Sequence, residues 1–484
     1  MLAAVRKASG EPYRYHIVSH AREQVDGRTI DITYDDEGVR HRVRRCAGVL
    51  CGGVYFDGKH GYETNLNDSP VPFGDDADGW QLTMNTVKSY AFTDPAFRLS
   101  GGRIAERPPG TLDGRSIRRI VVIPAGGVAM EVAIDESTSL LAAADTNNGY
   151  FRFTFHQHRS VDGKVTVPFQ VDLHEPPSGR FGSSEIVTQP FARYESREIV
   201  AEPLAVPAGL VPRIEGASVT AKLLRSDPFG DIPILECTIG GQTVPCLLDT
   251  GNSGMSMSLE LAEKLGIEPV GTSFGITGVG SYVTGVAKGP PLSIGAGITY
   301  PSAYYVLLHD IHGFGFDLVL GTDVFARARL TIDYPMREVT FAPESSDPLE
   351  HPLPLAFQSV VPLVSVNLGG DSVPMLLDTG DQSTINLASW YYEAHPTLFK
   401  ATTKMNVSGV GGSAEQLIGE IPSVTLGDFL VAHQRIGATK KPFATGDGHV
   451  GSGFFAHFRV TFDYAHGRIG LSPRSGDEAV TLKP

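Results

Sequence analysis

The chain has 484 residues, 41% hydrophobic and 19% charged, with a formal net charge of -14. That length exceeds what one hydrophobic core organises, so roughly two to four domains are expected. The acidic balance argues against a nucleic-acid partner, which selects a basic surface. No apolar run reaches the roughly 18 residues needed to span a bilayer. The opening Met1-Leu2-Ala3-Ala4-Val5-Arg6-Lys7 has no apolar signal core, so the chain reads as soluble and not transmembrane, with any export leader already removed.

Residues 1–205 show strand-like patterning at Tyr13 to Ser19, Arg28 to Tyr34, Ile117 to Ile123, Ala129 to Ile134, Tyr150 to Phe155 and Lys164 to Val171. Val5 to Ala8 ends a short helix. Two turns stand out, Phe56-Asp57-Gly58-Lys59 and Ile134-Asp135-Glu136-Ser137-Thr138-Ser139-Leu140-Leu141. They resemble turns of the outer-membrane lipoprotein carriers. The resemblance implies an antiparallel, half-barrel-like accessory domain, a lipid or extended-peptide ligand, and a bacterial periplasmic or secreted setting. The alternative is a β-rich domain with no ligand.

Cys46, Cys51, Cys237 and Cys246 form no Cys-x-x-Cys pair, and no histidine cluster lies beside them, so no metal site is expected. Two local disulfides are conceivable in an oxidising compartment. Four small buried side chains are the favoured reading, for Cys237 and Cys246 above all. Residues 206–230 read as a connector.

Beyond it the chain repeats itself. Ile234 to Asn252 reads ILECTIGGQTVPCLLDTGN, and Val364 to Asp381 reads VSVNLGGDSVPMLLDTGD, which sets Asp249 and Asp378 129 residues apart. Nearly the same offset relates Thr277-Gly278-Val279-Gly280 to Ser408-Gly409-Val410-Gly411. It also relates Val319-Leu320-Gly321 to His449-Val450-Gly451, and Leu330-Thr331-Ile332-Asp333-Tyr334 to Val460-Thr461-Phe462-Asp463-Tyr464. A register held over so many landmarks marks a duplication. At that offset Cys237 answers Val366 and Cys246 answers Met375, which is why a buried hydrophobe is expected at both cysteine positions.

The two halves of the duplication occupy residues 231–343 and 355–476, with a tail at 477–484. Both are mainly β, with Gly240-Gly241 and Gly369-Gly370 at hairpin turns. Short helices are expected at Leu259 to Leu265 and Ala388 to Glu393. The stretch between the halves, 344–354, is rich in Pro, Ser and acidic residues and reads as an exposed linker. Extended, it covers roughly 40 Å.

Two matched Asp-Thr-Gly turns point to water activation by paired carboxylates. One ionised carboxylate takes a proton from water while its protonated partner donates to the scissile carbonyl oxygen. Like charges about 3 Å apart do not both ionise, so the pair holds one proton. Gly251 and Gly380 permit the tight turns, and Thr250 and Thr379 are placed to hydrogen-bond across the halves and fix the geometry. No cofactor is needed.

These residues resemble the retropepsin-like aspartic peptidases, and their tandem arrangement resembles the single-chain pepsins. The resemblance covers roughly residues 215 to 475 and implies two β-barrel lobes related by a pseudo-two-fold axis. It makes Asp249 and Asp378 the catalytic pair, and it places glycine-rich flaps at Gly278, Val279 and Gly280 with Tyr282, and at Gly409, Val410, Gly411 and Gly412. An extended polypeptide would lie under them. Asn252 and Asp381 depart from the family's usual residue after the triplet. A third carboxylate beside the pair would resist its ionisation. The second apolar-apolar-Gly segment also lacks an acidic residue matching Asp323. Asp333 and Asp463 end strands beside a Tyr and read as structural. His309, His312, His449 and His457 show no ligand spacing and read as surface or satisfied core residues. The leading expectation is an aspartic endopeptidase that works as a monomer. A binding module that kept the fold but lost turnover, and a dyad formed between two chains, are the alternatives.

Overall fold

The computed structural model describes residues 1–482 apart from 26–27, 147–151, 175–185, 199–204, 225–229, 277–280, 310, 399–402 and 440–446. The protein is mainly β, and the chain divides into two compact units. Residues 1–62 and 73–206 make up the first, and residues 63–72 and 207–484 the second.

The first unit is built on antiparallel meanders. One sheet runs in the order Arg193–Glu198, Tyr15–Val25, Arg28–Glu37, Arg40–Ala47 and Leu50–Phe56. A second is ordered Ile186–Pro190, Gln170–His174, Arg152–His156, Leu141–Thr146, Met130–Asp135, Arg115–Ile123 and Arg103–Leu112. Both turns singled out in the sequence are Asx-type turns. The Asp57 carboxylate accepts from the N–H groups of Lys59 and His60, and the Asp135 carboxylate from those of Ser137 and Thr138.

The helix Asp75–Lys88 has no counterpart among the expected elements. Its polar composition hides a narrow apolar stripe: Trp80, Met84 and Val87 recur at helical spacing and pack with Ile120, Val122, Met130 and Val132 of the second sheet. So few apolar positions give a weak periodic signal, and the sheet supplies what the helix lacks alone.

In the second unit two large sheets carry strands in matching order. The first contains Ile234–Ile239, Gln242–Leu248, Leu318–Leu320, Met255–Ser258, Ala303–Leu308, Ser281–Gly289 and Pro269–Ile276. In the other, the corresponding run is Val361–Leu368, Asp371–Asp378, Gly448–Gly451, Ile385–Ala388, Phe429–Thr439, Gly412–Leu426 and Thr403–Gly409. A six-stranded sheet joins the halves through antiparallel pairing of Arg329–Asp333 with Phe458–Asp463, and there Thr331 lies opposite Thr461. Asp333 accepts from the Met336 N–H in the next turn, and Asp463 bonds His466 and Arg468, so both carboxylates serve local structure.

The stretch read as a connector contributes two edge strands, Arg213–Ile214 beside Ile298–Tyr300 and Val219–Lys222 beside Glu338–Ala342. Within the linker, Pro352–Pro354 pairs with Arg468–Pro473.

The cysteine reading needs correction, because both local pairs are disulfides: Cys46–Cys51 and Cys237–Cys246. Hairpin register is the reason. Cys46 and Cys51 are directly opposed, and Cys237 and Cys246 are diagonal neighbours on adjacent strands. Their counterparts Val366 and Met375 hold the same diagonal and are buried. A crosslink in one half therefore stands where the other has an apolar contact. Closing so short a loop contributes about 2–3 kcal/mol in the chain-entropy account. Replacing Cys237 with Val and Cys246 with Met should keep the fold and lower the unfolding free energy in urea by about 2 kcal/mol, the repacked pair returning part of the loss. A loss of about 5 kcal/mol or more would mean that the two halves differ in their packing at this point.

Candidate active site

Each Asp-Thr-Gly turn leaves a strand that ends between two others. Leu247 and Leu248 pair in parallel with Val319 and Leu320, and Leu377 and Asp378 pair in parallel with Val450 and Gly451. Apolar side chains fix these strands from below: Leu248, Leu320, Leu377 and Val450 are all buried. The glycines closing the two inner segments are obligatory. A Cβ on Gly321 would overlap the Asn252 carbonyl, and one on Gly451 the Ser383 carbonyl.

The two turns meet. A Cβ on Gly251 would lie 2.7 Å from the carboxyl carbon of Asp378, and one on Gly380 would lie 2.6 Å from that of Asp249. Any side chain at either position would displace the opposite carboxyl, which gives both glycines a steric reason beyond turn formation. The carboxyl groups of Asp249 and Asp378 thus lie at the same junction, and each acts on the other's proton affinity.

Beneath them Thr250 and Thr379 are fully buried and bond reciprocally. The Thr250 hydroxyl donates to the Leu377 carbonyl (2.6 Å) and accepts from the Thr379 N–H (3.0 Å). The Thr379 hydroxyl donates to the Leu248 carbonyl (2.8 Å) and accepts from the Thr250 N–H (3.0 Å). Within each turn the aspartate also accepts from its own glycine, Gly251 N–H at 2.8 Å and Gly380 N–H at 3.1 Å.

Burial pushes the Asp249 carboxyl well above the usual carboxylate range, and the neighbouring Asp378 charge adds to it against the N–H groups of Gly251 and Gly380. Asp378 is also raised by burial, but less freely, because His449 opposes the rise while Asp381 adds to it. The Asp378 side chain keeps 17% exposure, so solvent reaches the pair.

Of the expected flaps, Gly278, Val279 and Gly280 lie outside the described residues. Tyr282 is near the site: burial raises its hydroxyl pKa, and the Asp249 charge raises it further. Gly409, Val410, Gly411 and Gly412 form the tip of the hairpin made by Thr403–Gly409 and Gly412–Leu426, with Gly411 at φ 88° and Gly412 at φ 137°. Val410 and Tyr282 both pack against an apolar cluster containing Ile232, Leu247, Phe316 and Val319.

Two features escaped sequence reasoning. His449, read there as a surface or satisfied core residue, is a buried neighbour of the pair. Its Nδ1 is 3.4 Å from Asp378 and 3.7 Å from Asp381. The signal was in the internal alignment, where Asn252 and Val319 of the first half face Asp381 and His449 of the second. Among the described residues these three groups alone bring metal-type donor atoms within 4.8 Å of one another. His449 stands between the two carboxylates, and against its burial they raise its pKa above the ordinary imidazole value.

Asp323 is the other. It is fully buried and accepts from Asn65 Nδ2 (2.8 Å), Asn67 Nδ2 (2.7 Å) and Ser69 Oγ (2.6 Å), all on the short segment 63–72. Burial raises its pKa, and the three donors restrain the rise. Asn65 Nδ2 also donates to the Ser253 carbonyl, beside the first Asp-Thr-Gly turn. No spacing rule connects residues more than 250 positions apart.

A family model described as aspartyl protease matches residues 235–324. Comparison with curated proteins gives no match. The C-terminal part of the chain carries an aspartyl protease domain. The matched stretch holds Asp249, Thr250, Gly251, Tyr282 and Asp323 of that domain, whereas Asp378, Asp381 and His449 lie beyond it.

Two stability predictions follow from this geometry. Thr379→Val strips the Leu248 carbonyl of its donor and the Thr250 N–H of its acceptor. It should cost about 3 kcal/mol in urea denaturation, while Thr379→Ser should cost about 1 kcal/mol or less. Asp249 binds its proton more tightly folded than unfolded. Its contribution is therefore fully present below about pH 4, the unfolded value, and is lost as pH rises toward the folded value. Asp249→Asn, which copies the protonated form, should melt above wild type at pH 7, with the gap closing near pH 4. Equal melting at both pH values would contradict the raised pKa.

Proposed function

We propose that the protein is an aspartic endopeptidase in which Asp249 and Asp378 share one proton and activate a water molecule. The two halves of the second unit act as tandem retropepsin-like lobes within one chain. The observation that carries this reading is the contact of two carboxyl groups over a buried, reciprocal threonine lock. Such a pair does two jobs at once. The ionised carboxylate removes a proton from water, and the protonated one donates to the carbonyl oxygen as negative charge develops there. The titrations belong to the pair, so the rate rises and falls with two apparent pKa values.

The substrate is a polypeptide bound in extended form, held partly by strand-like backbone hydrogen bonds. Tyr282 and Val410, with the apolar cluster behind them, favour an apolar substrate side chain next to the scissile bond. Because the reciprocal bonds join two turns of one chain, the working form is a monomer. Two disulfides support an oxidising compartment such as the periplasm or the cell exterior.

Cleavage of casein from mildly acidic to mildly alkaline pH tests the proposal. Wild type should cut with a bell-shaped pH profile, and Asp249→Asn and Asp378→Asn should each reduce the rate by at least about a thousandfold. Cleavage that survives either substitution would remove the dyad from the mechanism. An inert wild type that still binds extended peptides would make the site a binding module.

A further inference from the structure

The two turns are not equivalent, and one of their differences lies directly beside the carboxyl pair. In the first half the position after the triplet is Asn252, and the residue beside Leu247 on the parallel strand is Val319. In the second half the same two positions hold Asp381 and His449, with His449 beside Leu376 in the same parallel register. A neutral pair has been replaced by a carboxylate and an imidazole together. Neither change alone suits a buried site. A lone carboxylate at 381 would crowd Asp378 with like charge, and a lone imidazolium at 449 would be desolvated with only the dyad to answer it. Together they neutralise one another beside Asp378.

We propose that His449 is a positioning residue which, tethered by Asp381, faces Asp378 as a cation and so places the dyad's single proton on Asp249. This rests on the peptidase reading of the site. It makes Asp378 the base that receives the water proton and Asp249 the acid that donates to the carbonyl oxygen.

The surroundings of His449 fit that role. Its side chain is only 10% exposed, and its Nδ1 lies 3.4 Å from the Asp378 carboxylate and 3.7 Å from that of Asp381. On the antiparallel neighbour it faces Asn386, on the parallel neighbour Leu376, and Asp447 lies just before its own strand, two residues ahead of it. Asp378, Asp381 and Asp447 are all acidic. Burial works to lower the His449 pKa, but the neighbouring carboxylates of Asp381 and Asp378 raise it above the ordinary value. Burial likewise works to raise Asp381, and His449 holds it below the usual carboxylate range. Asp381 itself accepts from the Ser383 N–H at 2.7 Å, which fixes its orientation toward the imidazole.

The test copies the first half into the second. In His449→Val, Asp378 loses its cation and keeps Asp381 beside it, so the acid limb of the pH–rate profile should move up by about one pH unit or more. In Asp381→Asn, Asp378 loses the like charge, while at the pH of the acid limb His449 is charged even with its midpoint lowered, so the acid limb should move down. The double variant should fall between them. A residue that merely packs would shift both single variants the same way or neither, and either result overturns the proposal. His449 is also followed by NMR in the full-length protein, its resonance assigned by its loss in His449→Gln. Its midpoint should lie above about 6.5 and drop in Asp381→Asn and in Asp378→Asn. A midpoint unmoved by both substitutions overturns the pairing even in an active enzyme. If wild type cleaves nothing, the peptidase reading fails, and the NMR titration alone decides whether the pairing exists.

Discussion

The four hydrogen bonds between Thr250 and Thr379 and the backbone beneath the opposite aspartates are the constraint on which the site depends. Both hydroxyls donate to a carbonyl across the junction and accept from the other's backbone N–H, in a position from which water is excluded. Buried polar groups left unpaired are expensive, so the two halves are held at the one separation that satisfies all of them. That separation brings each aspartate against the other's glycine. The pairing of Arg329–Asp333 with Phe458–Asp463 holds the same halves together at a second line.

Bringing two carboxyl groups together in a buried place sets their proton chemistry. Burial and mutual repulsion both disfavour a second negative charge, and the N–H groups of the turns stabilise one. The result is a pair poised to hold a single proton, and the distribution of that proton depends on what surrounds each member. Around Asp249 the flanking Asn252 and Val319 are neutral. Around Asp378 are a carboxylate and an imidazole. The duplication has therefore kept its geometry and lost its electrostatic symmetry.

The first half also leans on a segment from far upstream. Asp323 sits buried near the first Asp-Thr-Gly turn, and its carboxylate is answered by two amides and a hydroxyl from residues 65–69 rather than by a cation. The second half has Gly453 at the matching position and needs no such partner. Three neutral donors around one carboxylate give direction as well as stability, because each must hold its own geometry. They also explain why residues 63–72 group with the second unit although the chain on either side belongs to the first.

The sequence by itself determined the β-rich character, the repeat and the two Asp-Thr-Gly turns that the fold brings together. Each is written in local patterns: alternating strands, Gly-Gly turns, and two Asp-Thr-Gly triplets in the same register. Duplication made them legible, since a motif seen twice in matched context carries more information than one seen once. Tertiary structure alone decided the rest. The helix Asp75–Lys88 depends on a sheet to bury its thin apolar face, and the pairing of Cys237 with Cys246 depends on hairpin register, which composition misjudged. The place of His449 beside Asp378 and the capture of Asp323 by Asn65, Asn67 and Ser69 join residues whose separation in the chain says nothing about their separation in space. Short-range periodicity reports which face of an element is buried. Which polar groups meet inside the core is fixed by the packing of whole sheets, and that is where the charges of this site were arranged.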